Sequence, residues 1–174
     1  MSILATMASA WVIPQETLLS ATPSYFNPLM SMVHSITVTY MPMFFRIFVQ
    51  RGATSKGYDN VNPRVQIARL LDAAPNSAFS RLHGAHVNGL EITPVFFAAM
   101  LSGMYADIDK VRLSKYGTLF IALRSLYAVI YFYQGRALSA VRSVVFLWSL
   151  SLCANLLKES SGKIYDGKGS GDDN

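Results

Sequence analysis

The sequence predicts an all-α fold, an integral membrane bundle of four helices. Three observations carry that reading. Charged residues make up only 14% of the 174 positions, against roughly 25% in soluble domains. Apolar and aromatic residues reach 52%, and mean hydropathy is +0.30. The apolar residues gather into four runs, each close to the roughly 20 helical residues that ~30 Å of hydrocarbon requires. The length suits one domain rather than two cores, so residues 1–157 read as a single four-span, multi-pass membrane domain.

The first span is placed at about 27–50, most of it in a stretch from Thr17 to Phe45 that holds no charged residue. Pro42 removes one backbone donor there and predicts a bend that neighbouring helices absorb. His34 is expected to hydrogen-bond between helices. The segment "QRGATSKGYDNVNPRVQIARLLDAAPNS" is punctuated by Gly, Asn, Asp and Pro and reads as a loop, with "PRVQIARLLDA" as a short surface helix. Pro75 or Asn76 suits the start of the second long helix, whose span is about 80–105. "ADIDKVRLSK" connects it to a third span at 116–134, and "QGRAL" leads to the fourth at 139–157. Residues 158–174 are polar and glycine-rich and read as a flexible tail.

The charge pattern excludes several functions. The formal charge is +5, but the basic residues interrupt apolar runs instead of forming a stripe, which argues for lipid headgroups and against nucleic acid. Cys153 is the only cysteine, so no internal disulfide forms, and its apolar surroundings mark it as a packed, inert thiol. The first 45 residues hold no Lys or Arg while Arg51, Lys56, Arg64 and Arg69 follow the first span. That places this loop on the cytoplasmic or equivalent side, although Lys158, Lys163 and Lys168 in the tail pull the other way. No targeting, retention or lipidation signal is visible. The destination membrane, endoplasmic reticulum or another organelle, stays open.

Polar residues inside the spans point to a site. At about 100° per residue, Arg81, Gly84, Asn88 and Glu91 share one arc of about 80° on the second helix. Arg124, Tyr127, Tyr131 and Gln134 share a similar arc on the third. Arg142 opens the fourth span. Intramembrane arginines face a bundle interior or a wet cavity, not lipid. If the arcs face each other, arginines supply forked donors for carboxylates, Glu91 holds an ammonium, and Asn88 and the tyrosines add neutral hydrogen bonds. The guest so described is a small zwitterion with more than one carboxylate. The same residues also serve as interhelical glue, and the spacing leaves both readings open. His83 and His86 lack a third ligand, so no metal site is expected. No phosphate loop, Ser-His-Asp spacing or paired-acid motif occurs.

Three segments resemble those of the MAPEG family, the membrane-associated proteins in eicosanoid and glutathione metabolism: "YDNVNPRVQIARL", "SRLHGAHVNGLEITPVF", and "ALRSLYAVIYF" followed by "RSVVFLW". The second is the specific one, similar to the signature Arg…Ala-His/Gln-x-Asn-x-x-Glu-x-x-Pro-x-Phe. The resemblance spans residues 58–148 and is nearest the eukaryotic-like bacterial branch. It implies a homotrimer with glutathione bound as cosubstrate between subunits, and a glutathione transferase or peroxidase acting on apolar electrophiles or lipid hydroperoxides. By matching position, Arg81, Asn88, Glu91, Arg124 and Tyr127 would bind glutathione. Tyr131 and Arg142 would be catalytic, with Arg142 the partner of the thiolate.

Two positions depart from the resemblance. Gly84 stands where microsomal transferases and the leukotriene synthase have arginine, and Ile92 where the synthase has tyrosine, which makes leukotriene synthesis an unfavoured activity. These departures keep a second expectation in view, a non-catalytic structural or accessory subunit of a larger membrane assembly. A lipid-binding regulatory member, similar to the lipoxygenase-activating branch, is a third.

Overall fold

The computed structural model describes residues 15–53, 58–133 and 136–169, and all regular structure among them is helical. The helices are α1 (Gln15–Ala21), α2 (Pro28–Ala53), α3 (Pro63–Ala73), α4 (Ala78–Tyr105), α5 (Lys110–Phe132) and α6 (Arg136–Gly169). The N-terminal stretch read for targeting signals, Gln134 and the end of the tail lie outside the described residues.

Local chemistry fixes the helix boundaries. Asp59 accepts from the amides of Val61 and Asn62, an Asx turn that delivers the chain to Pro63 in the first turn of α3. α4 starts at Ala78, not at Pro75 or Asn76, because the Ser77 side chain accepts from the Ser80 amide and satisfies an N-terminal donor. Asp109 does the same for α5 through the Arg112 amide. The turn between α4 and α5 needs a left-handed residue, supplied by Asp107 at φ 51°, one of the few non-glycine types that tolerate it.

Three helices are long and apolar enough to cross a membrane by length and composition: residues 28–52, 78–105 and 138–166. The third expected span falls on α5, which does not reach that apolarity. It ends at Phe132 and carries Tyr116, Arg124, Tyr127 and Tyr131 within its run. Its polarity is covered by protein: Tyr116, Arg124 and Tyr127 are all buried. α4 and α5 pack on one another, and each also packs against α2 and α6.

The core and the polar arcs occupy different halves of these helices. In the half nearest the α4–α5 turn, Phe96 and Phe120 stack face to face at 3.9 Å among Met100, Leu113, Cys153 and Leu156. Close approach there needs glycine: a Cβ on Gly117 would run into Ser31 of α2, and one on Gly103 would lie 3.2 Å from Leu156 Cδ1. The buried hydroxyls of Thr118, Ser149 and Ser160 are satisfied by carbonyls four residues back in their own helices. In the other half, a seam of polar contacts joins α2 to α4. Thr39 Oγ1 lies 3.0 Å from Thr93 Oγ1, His86 Nδ1–H donates to the Thr39 carbonyl at 2.9 Å, and Gly89 admits Thr39 between them. His34 is not the interhelical link expected. Its Nδ1–H donates to Met30 of its own helix at 2.7 Å and its ring lies on Phe26 at 4.3 Å.

The tail expected from residue 158 is helical as far as Gly169. Composition suggested a disordered end, but tertiary contacts hold it: Glu159 accepts from Arg112 Nε at 2.7 Å and Lys163 Nζ donates to the Asp107 carbonyl at 2.8 Å. Arg112 also reaches Glu16 at 2.7 Å, tying on α1, whose Leu19 is buried in the core. The Arg112 hydrogen bond holds the Glu16 carboxyl below the usual carboxylate range, and both glutamates push the Arg112 guanidinium up. A depressed carboxylate stabilises the fold above its unfolded pKa and loses that contribution as pH falls through the folded value. Because Glu16 is exposed, the pair contributes about 0.2–1 kcal/mol. Protection of the α1 amides from hydrogen exchange is therefore expected to drop below about pH 4, and Glu16→Gln should remove that pH dependence. Unchanged α1 protection across this range would show that Leu19 alone anchors the helix.

Candidate functional site

The polar arcs of α4 and α5 meet. Arg124 is buried, 5% exposed, and its Nη2 donates to Asn88 Oδ1 at 3.1 Å. Its guanidinium lies over the Tyr127 ring, 4.3 Å from the centroid. Its Nη1 is buried with no hydrogen-bond partner. A guanidinium is never deprotonated in this setting, so the chain keeps a cation with an open donor in its interior, an arrangement that costs several kcal/mol unless an anion completes it.

The remaining residues continue the site along one line. Tyr127 and Tyr131, one turn apart, have ring centroids 5.6 Å apart. Arg142 of α6 lies over Tyr131 at 4.8 Å, while Phe146 of α6 backs Tyr127 at 6.2 Å. The hydroxyl of Tyr127 lies in the fields of Arg124, Tyr131, Arg142 and Glu91. Among the described residues neither tyrosine hydroxyl has a protein hydrogen-bond partner, and Glu91 is exposed with no ion pair. Cations at both ends, one carboxylate and two free hydroxyls thus converge where α4, α5 and α6 adjoin. Their chemistry suits a guest carrying carboxylates and an ammonium.

Six of the seven expected residues, Asn88, Glu91, Arg124, Tyr127, Tyr131 and Arg142, fall in this line. Arg81 is held apart from it. Its Nε donates to the Phe132 carbonyl at 2.9 Å and its Nη1 to the Asn76 carbonyl at 2.7 Å. A carbonyl at the end of α5 lacks an intrahelical partner and attracts a cation, so Arg81 fastens the start of α4 to the end of α5. Gln134 lies outside the described residues.

Sequence reasoning passed over Arg46. It is 6% exposed, donates to His83 Nδ1 at 2.5 Å, lies over Phe79 at 5.6 Å and has a buried Nε without a partner. The signal was there, a lone arginine in "FFRIFVQ". This bond requires His83 to be neutral, since a guanidinium only donates. With His83 facing Arg46 and His86 facing Thr39, the two histidines point to different partners on α2. Ile92 is 3% exposed in the apolar core, which explains an aliphatic residue at this position.

Neither a curated protein nor a solved structure matches the chain significantly. The profile of the MAPEG family matches residues 29–158, a segment that contains every residue of the site. With that match and three helices able to cross a membrane, the chain belongs to the MAPEG family and is an integral membrane protein.

Proposed function

We propose that this protein is a glutathione transferase or peroxidase, built as a four-helix bundle that assembles as a homotrimer. The observation that carries the reading is the unpartnered Nη1 of buried Arg124, set in line with Glu91, two free tyrosine hydroxyls and Arg142. Glutathione has the complementary groups: two carboxylates, one ammonium, and a thiol whose anion needs a cation. In this reading Arg124 and Asn88 take a carboxylate, Glu91 the ammonium, and Tyr127 a neutral hydrogen bond. Arg81 contributes through its remaining guanidinium edge, and Arg142 stabilises the thiolate above Tyr131. The family supports a glutathione- or eicosanoid-related role in general.

The thiol proton leaves to water, and the sulfur lone pair attacks an electrophilic carbon while the leaving group departs with its bonding electrons. With a lipid hydroperoxide the sulfur attacks the outer oxygen. The O–O bond breaks, the inner oxygen leaves as alkoxide and takes a proton, and a second glutathione converts the sulfenic acid to disulfide and water. Both steps need positioning and a thiolate, little else. The accessory-subunit reading rests on Gly84 and Ile92. After gentle solubilisation, a trimer-sized band on a native gel supports the enzyme and co-migration with a large complex supports the subunit.

Heat protection tests the glutathione reading. A ligand at about 100 times its Kd stabilises the native state by about 2.7 kcal/mol, so saturating glutathione should raise the melting temperature of detergent-purified protein by several degrees. No shift at about 10 mM glutathione, a Kd weaker than about 3 kcal/mol of binding, sinks the proposal.

A further inference from the structure

We infer that Gly84 is a positioning residue for Arg142: it forms the seat on α4 against which the Tyr131 ring rests while that ring carries the Arg142 guanidinium. This inference deepens the glutathione reading and rests on it.

A Cβ built on Gly84 would run into the Tyr131 hydroxyl oxygen and lie 2.9 Å from Tyr131 Cζ and 3.1 Å from Cε1. Carbon–carbon contacts are comfortable at about 3.5–4.0 Å, so any other residue drives the ring off by about half an ångström or more. The ring cannot simply retreat across α5, because Tyr127 stands 5.6 Å away and is itself backed by Phe146. The Arg142 guanidinium lies 4.8 Å above that ring, so a displaced ring changes the surface on which it rests. The other crowded glycines tell a different story: Gly89 meets Thr39, Gly103 meets Leu113 and Leu156, and Gly117 meets Ser31. Those contacts serve helix packing. Gly84 is the described helix glycine whose neighbour belongs to the site. Glycine is unfavourable inside a helix relative to alanine, and here its missing side chain leaves the room that the Tyr131 ring occupies. Displacements near 1 Å suffice to cost about 100-fold in rate.

The test follows the pH at which enzyme-bound glutathione ionises, read as thiolate absorbance at about 240 nm. Gly84→Ala is expected to raise that pH by about one unit, roughly a threefold loss of thiolate at neutral pH, while S-methylglutathione still protects the variant against heat. Tyr131→Leu removes the platform, so adding Gly84→Ala to Tyr131→Leu should shift the ionisation no further. This double variant has no clash and keeps the cycle readable if Gly84→Ala alone folds poorly. An unchanged ionisation pH in Gly84→Ala, or an added shift in the double variant, overturns the positioning role while the glutathione site stands. A wild-type protein that neither binds nor ionises glutathione overturns both, and is recognised because no variant is needed to see it.

Discussion

Arg142→Ala is expected to abolish the thiolate band of enzyme-bound glutathione at neutral pH and to reduce transfer to apolar electrophiles by about 100-fold. A cysteine thiol has a pKa near 8.5, and lowering it by two units requires about 2.7 kcal/mol of preference for the anion. One cation in a partly dry site supplies that amount. Arg142 lies over the Tyr131 ring at 4.8 Å. Stopped-flow absorbance on mixing with glutathione measures the band. S-methylglutathione, which has no proton to lose, should bind wild type and variant alike. A variant that retains full thiolate formation would transfer the role to another cation and end the assignment.

Arg124→Met is expected to act in opposite directions on binding and on stability. Truncating one partner of a buried charge pair costs about 2–5 kcal/mol, so glutathione affinity should fall by two orders of magnitude or more. Without ligand, the same change removes an interior cation whose Nη1 has no partner. Replacing buried ionic groups by apolar ones of similar size stabilises by about 1–4 kcal/mol in favourable cases. Methionine leaves Asn88 Oδ1 without its donor, which offsets part of the gain. Thermal melting with and without glutathione reads both effects in one titration: a higher melting temperature for the apo variant and no ligand-induced rise. If Arg124 were structural glue, the apo variant would melt lower, and that result would falsify its role as a ligand-binding group.

Much of the site was legible because helical geometry alone places residues three and four apart on one face. That rule gathered Asn88 with Glu91 on one helix and Arg124, Tyr127 and Tyr131 on the next; that the two arcs face each other is visible only in the Arg124–Asn88 hydrogen bond. Arg81 obeys the same periodicity, yet it is claimed by carbonyls of Phe132 and Asn76. Periodicity carries no information about unpaired backbone at a neighbouring helix end. The long apolar runs announced α2, α4 and α6, because spanning a bilayer demands length and composition together. α1 gave no such signal: seven residues are too few to show a period, and its place depends on the distant contacts of Glu16 and Leu19. The continuation of α6 was hidden for a related reason. "KESSGKIYDGKG" has the composition of a solvated end, and Arg112, Tyr116 and the Asp107 carbonyl, all far away in sequence, hold it against the bundle.

That continuation gives the molecule a built-in measuring rod. At 1.5 Å per residue, the 34 residues of α6 extend about 51 Å, whereas the hydrocarbon layer is about 30 Å thick. Standing near upright, the rod projects some 20 Å past the acyl chains, with Tyr165, 75% exposed, close to its tip. Arg112 and the Asp107 carbonyl brace the shaft, and a helix longer than the acyl layer is accommodated by tilt. A probe at Tyr165 would therefore report lean as a change in its height above the lipid.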